Sequence, residues 1–260
     1  MNKDNALQSS STRSSQGHVG YVHSIETFGS VDGPGIRYII FLQGCPMRCL
    51  FCHNPDTWKQ NKVKPMTADE LLDQAERYHT YWGEKGGITV SGGEALLQID
   101  FLIELFEKAH ARQINTCLDT SAQPFTRNGL WFTKFERLMK VTDTVLLDIK
   151  HIRDEEHRKL TKFTNHNILD CARYLSEIQK PVWIRHVLIP GITDNDEYLH
   201  ELAAFLNTLH NIERIDILPY HTLGTYKYDE LHLDYPLKGV EPPTQERIDN
   251  ANKIMELALK

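Results

Sequence analysis

The chain has 260 residues, with 29 lysines and arginines against 35 aspartates and glutamates, giving a formal net charge of −6. This balance argues against a general nucleic-acid or membrane-surface binder, which would present a basic face. The sequence has no apolar run of about 18 residues and no apolar segment near its start, so we expect neither a transmembrane span nor a secretory signal. Five cysteines, an odd number, fit a reducing cytoplasm better than a disulfide framework.

The chain begins with a polar, serine-rich segment, residues 1–17, which lacks apolar periodicity and predicts a disordered tail. Residues 18–260 are expected to form a single domain. Extended chain is predicted from Gly20, followed by a turn rich in glycine and proline at residues 29–35. The nearly continuous apolar run at residues 36–42 predicts a strand that is buried on both faces of a parallel sheet.

Strands and helices alternate in the rest of the sequence. The run Thr67-Ala-Asp-Glu70 is a capping box, in which the threonine and glutamate side chains satisfy backbone N–H groups at a helix start. Further strands are predicted at residues 87–91, 115–118, 144–147, 182–189 and 215–218, and further helices at residues 99–112, 130–140, 167–179, 196–210 and from Thr244 to the end of the chain. About six strand–helix units predict an α/β fold with a parallel sheet. A partial (β/α)6 barrel and a doubly wound sheet would both give this pattern.

A cysteine-rich stretch, residues 43–58, directly follows the first buried strand and reads Q-G-C-P-M-R-C-L-F-C-H-N-P-D-T-W. Cys45, Cys49 and Cys52 are spaced C-x3-C-x2-C, and thiolates are soft ligands that suit an iron–sulfur cluster or zinc. A 4Fe–4S cluster normally has four cysteine ligands, and no fourth cysteine is near in sequence. A cluster held by three thiolates leaves one iron open to a small molecule. The alternatives are a zinc site completed by His53 and a purely structural turn.

Polar residues and glycines recur at or just beyond the ends of the predicted strands. They are Cys45, Gly92, Gly93, Glu94, Asp119, Asp148, Lys150 and His221. Because the carboxyl ends of parallel strands meet at one edge of the sheet, these residues are expected to surround one ligand. Paired glycines let a backbone approach a ligand closely, although a plain turn has the same signature. Arg185 lies in an otherwise apolar strand and needs a carboxylate partner, which either a ligand or a structural ion pair would supply.

Several runs of the sequence resemble a known family. The C-x3-C-x2-C spacing, with an aromatic residue before the last cysteine, resembles the signature of radical S-adenosylmethionine enzymes. Three runs, Asp32-Gly-Pro-Gly-Ile-Arg37, Phe41-Leu-Gln-Gly-Cys45 and Cys52-His-Asn-Pro-Asp-Thr-Trp58, resemble the glycyl-radical-enzyme activases of that superfamily. The resemblance covers the chain from about residue 17 to its C-terminus. It implies a partial (β/α)6 barrel that is open on one side, and the number of predicted units agrees with it.

The resemblance also implies cofactors and residue roles. Cys45, Cys49 and Cys52 would hold a 4Fe–4S cluster, whose open iron is chelated by the amino and carboxylate groups of S-adenosylmethionine. The residues implied to bind S-adenosylmethionine are Phe51, His53, Gly92, Gly93, Glu94, Asp148, Ile149, Lys150, Arg185 and His221. Asp119 and Asp148 match the ligands of a monovalent cation, although Asp119-Thr-Ser-Ala-Gln-Pro-Phe replaces the more usual Asp-Thr-Asn-Gly-Phe and leaves the backbone ligands open. Asp32 and His53 are implied to bind the substrate.

The implied activity is the anaerobic activation of a glycyl radical enzyme. An electron from reduced flavodoxin or ferredoxin cleaves S-adenosylmethionine, and the resulting 5′-deoxyadenosyl radical takes a hydrogen atom from a glycine of a protein substrate. The resemblance points most closely to pyruvate formate-lyase (formate C-acetyltransferase) as that substrate. No side chain is expected to act as an acid or base, because the cofactor carries the chemistry. We expect a cytoplasmic monomer. The alternatives are an activase of a different glycyl radical enzyme and a non-catalytic zinc-binding protein.

Overall fold

The centre of the fold is a mixed sheet with parallel strands through most of its width. The computed structural model describes residues 17–59 and 63–259, and these residues form one sheet of eight strands. The strands are β1 (Val19–Gly29), β2 (Arg37–Leu42), β3 (Pro65–Thr67), β4 (Gly87–Gly92), β5 (Asn115–Thr120), β6 (Thr144–Asp148), β7 (Val182–Leu188) and β8 (Ile212–Pro219). Their order is β3-β1-β2-β4-β5-β6-β7-β8. The pairs from β2 to β8 are parallel, whereas β1 is antiparallel to both β2 and β3.

The strand order distinguishes an open barrel from a doubly wound sheet. A doubly wound sheet reverses its order at a switch point, whereas here the parallel strands follow one another across the sheet in chain order. The helices are α1 (Ala68–Glu76), α2 (Ile99–Ala111), α3 (Gly129–Met139), α4 (Asp154–Thr161), α5 (His166–Glu177), α6 (Asp196–Leu206), α7 (Tyr226–Glu230) and α8 (Gln245–Glu256). In the described part of the chain, the edge strands β3 and β8 are not hydrogen-bonded to each other, so the barrel stays open. The predicted α/β class and partial (β/α)6 barrel are confirmed.

Each strand and helix predicted from the sequence is present, with shifted ends. The strand predicted at residues 215–218 extends over all of β8, and the helix predicted at residues 196–210 ends at Leu206. The edge strand β3 and the helices α4 and α7 are additional elements that the sequence analysis did not include. Apart from Gly17, the predicted tail at residues 1–17 lies outside the residues that the structure describes.

Local interactions explain where several elements begin and why they are buried. The capping box is confirmed, because the Glu70 N–H donates to Thr67 Oγ1 at 3.2 Å and the Thr67 N–H donates to the Glu70 carboxylate at 2.8 Å. Strand β2 is buried over almost its whole length, as its apolar run predicts, and lies between β1 and β4. Among the described helices, none has the length and apolar character needed to cross a membrane.

The turn between β1 and β2, residues 30–35, folds into the interior from the amino-terminal end of the parallel strands. Arg37, the fully buried first residue of β2, donates to Thr89 Oγ1 at 2.9 Å and to the carbonyl of Pro34 at 3.1 Å. The Thr89 hydroxyl donates in turn to the carbonyl of Asp32 at 2.7 Å. The hydrogen-bond acceptors around the Arg37 guanidinium are all hydroxyl, amide or carbonyl oxygens. A buried cation that is surrounded by neutral acceptors therefore anchors this turn.

Candidate functional site

A cavity of about 530 Å³ lies at the carboxyl ends of the parallel strands. It is lined by most of the residues that the sequence analysis selected: Asp32, Cys45, Cys49, Phe51, Cys52, His53, Gly92, Gly93, Asp119, Asp148, Lys150, Arg185 and His221. Glu94 and Ile149 do not line it and are buried. The two remaining cysteines, Cys117 and Cys171, are also fully buried outside the lining. The fold thus brings residues from all the parallel strands, from β2 to β8, to one cavity.

The cysteine loop, residues 43–58, leaves the end of β2 and is tied to several parts of the fold. Its ends are joined by a hydrogen bond from the Gly44 N–H to the Thr57 carbonyl at 2.7 Å. Its middle is joined to the end of α4, where the Leu50 N–H donates to the Leu160 carbonyl at 3.0 Å. These backbone bonds fix the course of the loop, so that its three cysteines all face the cavity.

The three thiols fit an iron–sulfur cluster better than a single zinc ion. Burial raises the pKa of Cys45 and of Cys49 to about 12, so thiolates at these positions need the positive charge of bound metal. Within residues 17–59 and 63–259, no three His, Cys, Asp or Glu side chains are arranged to hold one metal ion, whereas a cubane cluster offers a separate iron to each thiolate. His53, the fourth ligand of the zinc alternative, instead stacks on His221 with ring centroids 4.1 Å apart.

Gly92 and Gly93 allow the end of β4 to lie against the cysteine loop. Gly92 has φ +124°, and a Cβ atom there would lie 2.2 Å from the carbonyl oxygen of Leu42. A Cβ atom on Gly93 would lie 2.2 Å from the carbonyl oxygen of Gly44. The glycine pair predicts a close approach to a ligand, but the close neighbours of both glycines in the structure are backbone atoms of the protein. The N–H of Gly93 is bonded to the Leu42 carbonyl at 2.9 Å, which leaves its carbonyl as the group that a ligand could use.

Glu94 connects the end of β4 to the end of β5. One carboxylate oxygen accepts from the Leu96 N–H at 3.0 Å and from the Thr120 hydroxyl at 2.5 Å. The other oxygen accepts from both the N–H and the hydroxyl of Ser121. Burial raises the pKa of Glu94, and the donors on Ser121 and Thr120 oppose that rise. The carboxylate is fully engaged within the protein, so contact between its side chain and a cofactor stays a prediction.

A charged wall, formed by Asp119, Asp148, Lys150 and Arg185, lies at the ends of β5, β6 and β7. Arg185 donates to Asp119 and to Asp148 (3.1 Å), and Lys150 donates to Asp148 at 3.0 Å. Burial favours the neutral form of Asp148, but Arg185 and Lys150 outweigh it and lower its pKa to about 2. Burial raises the pKa of Asp119 although Arg185 opposes the rise. The carboxylate partners of Arg185 therefore come from the protein. Because Asp119 and Asp148 already have cationic side chains as partners, the bound monovalent cation at these two residues stays a prediction.

Two predicted residues, Asp32 and Ile149, are placed in ways that the sequence did not indicate, and only Asp32 lines the cavity. Asp32 reaches the cavity from the anchored turn at the opposite end of the strands, where burial raises its pKa and the charge of Asp119 adds to the rise. Ile149 contributes backbone groups rather than its side chain. Its N–H donates to the Arg185 carbonyl at 3.0 Å, and its carbonyl lies 2.7 Å from Nδ1 of His186. The backbone of Ile149 therefore holds Arg185, one member of the charged wall, from outside the cavity.

Part of the cavity lining was not predicted from the sequence. The additional lining residues are Phe41, Met47, Asn54, Thr57, Trp58, Ser91, Thr120, Ser121, Val187, Leu218 and Pro219. Most of them neighbour a selected residue in the sequence or lie at the end of a strand, and that position was the available signal. Ser91 is an example, since it lies at the end of β4 and its hydroxyl donates to Asp119 at 2.5 Å.

Comparison with known proteins identifies relatives of high similarity. The family model described as the Radical SAM superfamily matches residues 39–203. A pyruvate formate-lyase-activating enzyme from Streptococcus mutans serotype c is 55% identical over 238 residues, which cover 91% of this chain and 90% of that protein. Proteins of the same name from Listeria monocytogenes serovar 1/2a and Staphylococcus epidermidis are 51% and 50% identical, covering 92% and 89% of this chain and 96% and 93% of theirs.

Solved structures share the fold at lower sequence identity. A domain of a pyruvate-formate lyase-activating enzyme from Bacteroides vulgatus superposes with a TM-score of 0.55 at 24% identity, covering 66% of this chain and 94% of that one. SuiB of Streptococcus suis, bound to its precursor peptide SuiA, superposes with a TM-score of 0.62 at 16% identity, covering 89% of this chain and 46% of that one. The family model spans more than half of the chain, and relatives at 50–55% identity span nearly all of it. The chain belongs to the radical S-adenosylmethionine superfamily and, within it, to the family of pyruvate formate-lyase-activating enzymes.

Proposed function

We propose that this chain activates pyruvate formate-lyase by generating a radical on one of that enzyme's glycines. The observation that supports this most strongly is the lining of one cavity by three cysteines, without a fourth, opposite a glycine pair and a charged wall. When bound there, a 4Fe–4S cluster supplies the electron that cleaves S-adenosylmethionine into methionine and a 5′-deoxyadenosyl radical, which takes a hydrogen atom from the substrate glycine. Membership of the family of activating enzymes supports the same activity.

The residues of the chain would bind and orient the cofactors. Cys45, Cys49 and Cys52 would hold the cluster. The carbonyl of Gly93 suits the amino group of S-adenosylmethionine, because carbonyl oxygens accept hydrogen bonds from ammonium groups and the N–H of this residue is already used. Burial on its own would lower the pKa of Lys150, but Asp148 outweighs it and raises the pKa, so Lys150 stays charged and can face the carboxylate of the cofactor.

The remaining predicted site residues would contact the rest of the cofactor and the substrate. His221, His53 and Phe51 offer aromatic rings in the cavity lining, and Asp32 faces the same space from the turn below. Among the described residues, the edge strands β3 and β8 are not hydrogen-bonded to each other, and a glycine-bearing segment of a partner protein would enter from this open side. SuiB, which has the same fold, was solved with a peptide bound. We propose that residues 18–260 act as one catalytic domain, as a monomer in the cytoplasm, with reduced flavodoxin or ferredoxin as electron donor.

The test is an electron paramagnetic resonance measurement on anaerobically purified and reconstituted protein. The protein is reduced and mixed with S-adenosylmethionine and pyruvate formate-lyase, and we expect the doublet of a glycyl radical. Cys45→Ala should abolish the doublet. Cys171→Ala is the matched control, because Cys171 is fully buried outside the cavity, and it should leave the doublet in place.

The other outcomes of this measurement are equally informative. Cleavage of S-adenosylmethionine without a doublet would indicate that the protein substrate is a different glycyl radical enzyme. A protein that carries zinc, no iron and no cleavage activity would contradict the proposal.

A further inference from the structure

The segment that follows β8, residues 221–228, forms a clasp over the second half of the cysteine loop. The carbonyl of His221 lies 2.9 Å from Nε2 of His53. Lys227 Nζ contacts the side chain of Asn54 at 2.8 Å and the carboxylate of Asp56 at 3.2 Å. The clasp thus binds the loop residues that come directly after the third cysteine.

The Tyr228 hydroxyl makes the contact nearest to the cysteines. It donates to the carbonyl of Cys52 at 3.0 Å, and the tyrosine is only 1% exposed. Its ring packs edge-on against Trp58 and Tyr235, with ring centroids 6.1 and 4.9 Å away. Because the Cys52 N–H is bonded to the Cys49 carbonyl at 3.1 Å, both the N–H and the carbonyl of this cysteine have defined partners.

We propose that Tyr228 is a positioning residue for the metal centre, which holds the Cys52 backbone so that its thiol faces the cavity. The inference rests on the proposed function only for the identity of the metal group. Outer partners of a ligating residue orient the ligand and tune the metal. The first half of the loop is held by backbone bonds such as that from the Arg48 N–H to the Thr161 carbonyl at 3.1 Å, and by the Arg48 guanidinium, which donates to the Cys45 carbonyl at 2.9 Å. The partner of the Cys52 carbonyl is the hydroxyl of Tyr228, so a substitution that removes this one oxygen atom tests its role.

The chain offers a matched pair of variants. Tyr228→Phe removes the hydroxyl that contacts Cys52, with the ring kept in place. Tyr235→Phe removes a hydroxyl of the same tyrosine cluster that pairs with the Tyr220 hydroxyl at 2.8 Å. We first measure hydrogen exchange of residues 52–58 in metal-free protein. Tyr228→Phe should raise the exchange rate in this segment several-fold, since a net hydrogen bond of about 1 kcal/mol corresponds to roughly a fivefold change, and Tyr235→Phe should leave it unchanged.

The second measurement follows the loss of iron from the reconstituted protein to a ferrous chelator. Because outer-partner substitutions typically cost about 10–100-fold in metal affinity, we expect about tenfold faster loss in Tyr228→Phe and the wild-type rate in Tyr235→Phe. Equal acceleration in both variants would mean a general loosening of the tyrosine cluster and would overturn the inference, as would no effect of Tyr228→Phe on either readout. If Tyr228→Phe does not fold, Lys227→Met tests the clasp by the same exchange measurement. A wild-type protein without iron contradicts the proposed function, while the metal-free exchange result still decides the role of Tyr228.

Discussion

The bonds of Glu94 allow a quantitative prediction for the substitution Glu94→Gln. Each carboxylate oxygen accepts from one backbone N–H, of Leu96 or of Ser121, and from one hydroxyl, of Thr120 or of Ser121. An amide nitrogen cannot accept, so either orientation of the glutamine leaves one buried backbone N–H without an acceptor, whereas a hydroxyl can rotate. An orphaned buried donor costs about 1–3 kcal/mol. For a chain of this size, each kcal/mol corresponds to a shift of about 2–4 °C in Tm.

The assay is urea or thermal unfolding of metal-free protein under anaerobic conditions. Glu84→Gln is the control, because Glu84 is exposed and the same chemical change there should leave the midpoint unchanged. A Glu94→Gln midpoint equal to that of wild type would refute the reasoning. It would mean that the backbone N–H groups of Leu96 and Ser121 do not both depend on the Glu94 carboxylate as their acceptor.

Three further substitutions have defined effects on the stability of the fold. Burial would raise the pKa of Asp148, but Arg185 outweighs it and lowers this pKa to about 2, against an ordinary 3.8. The lowered pKa stabilises the fold above about pH 4, and this stability is lost as the pH falls towards 2. Asp148→Asn should therefore make the free energy of unfolding, measured in urea titrations between pH 4.5 and 2.5, depend less on pH. Gly93→Ala forces a Cβ atom onto a backbone oxygen and should lower the free energy of unfolding by a few kcal/mol. In the control Gly83→Ala, the new Cβ meets no atom within 4 Å, so the only cost is the left-handed backbone conformation, about 1 kcal/mol. Equal losses of stability in the two variants would contradict the clash at Gly93. Thr67→Ala removes the cap of α1 and should lower the free energy of unfolding by about 1 kcal/mol without changing iron binding.

Elements whose signals are local could be predicted from the sequence. The apolar run at residues 36–42 identified β2, and the capping box at Thr67 identified α1. Helix α4 was missed because its sequence is mostly polar and few of its residues are buried. A signal was present, since acidic residues fill its first turn and basic residues its last turn, as the helix dipole favours. Helix α7 has only five residues, too few for a periodic pattern.

The gathering of the site residues was predictable because carboxyl ends of parallel strands share an edge. The neighbours of those residues were not, because they depend on contacts between distant parts of the chain. Asp32 reaches the cavity through the anchoring of its turn by Thr89 and Arg37. Gly93 lies against the Gly44 backbone, a contact that the sequence alone cannot distinguish from an approach to a ligand.

Two arginines of the sheet, the fully buried Arg37 and the partly buried Arg185, differ in how their partners respond to acid. Arg37, at the amino end of β2, is surrounded by hydroxyl, amide and carbonyl oxygens, which do not take up protons in the range where carboxylates do. Arg185, near the carboxyl ends of the strands, depends on the carboxylates of Asp119 and Asp148, which do. Protonation of these carboxylates at low pH therefore weakens the ion pairs of Arg185, while the hydrogen bonds that hold the Asp32 turn keep their neutral acceptors. The metal-free protein therefore has an acid-sensitive network of ion pairs at the carboxyl ends of its strands and an anchor at their amino ends whose hydrogen bonds do not depend on carboxylates.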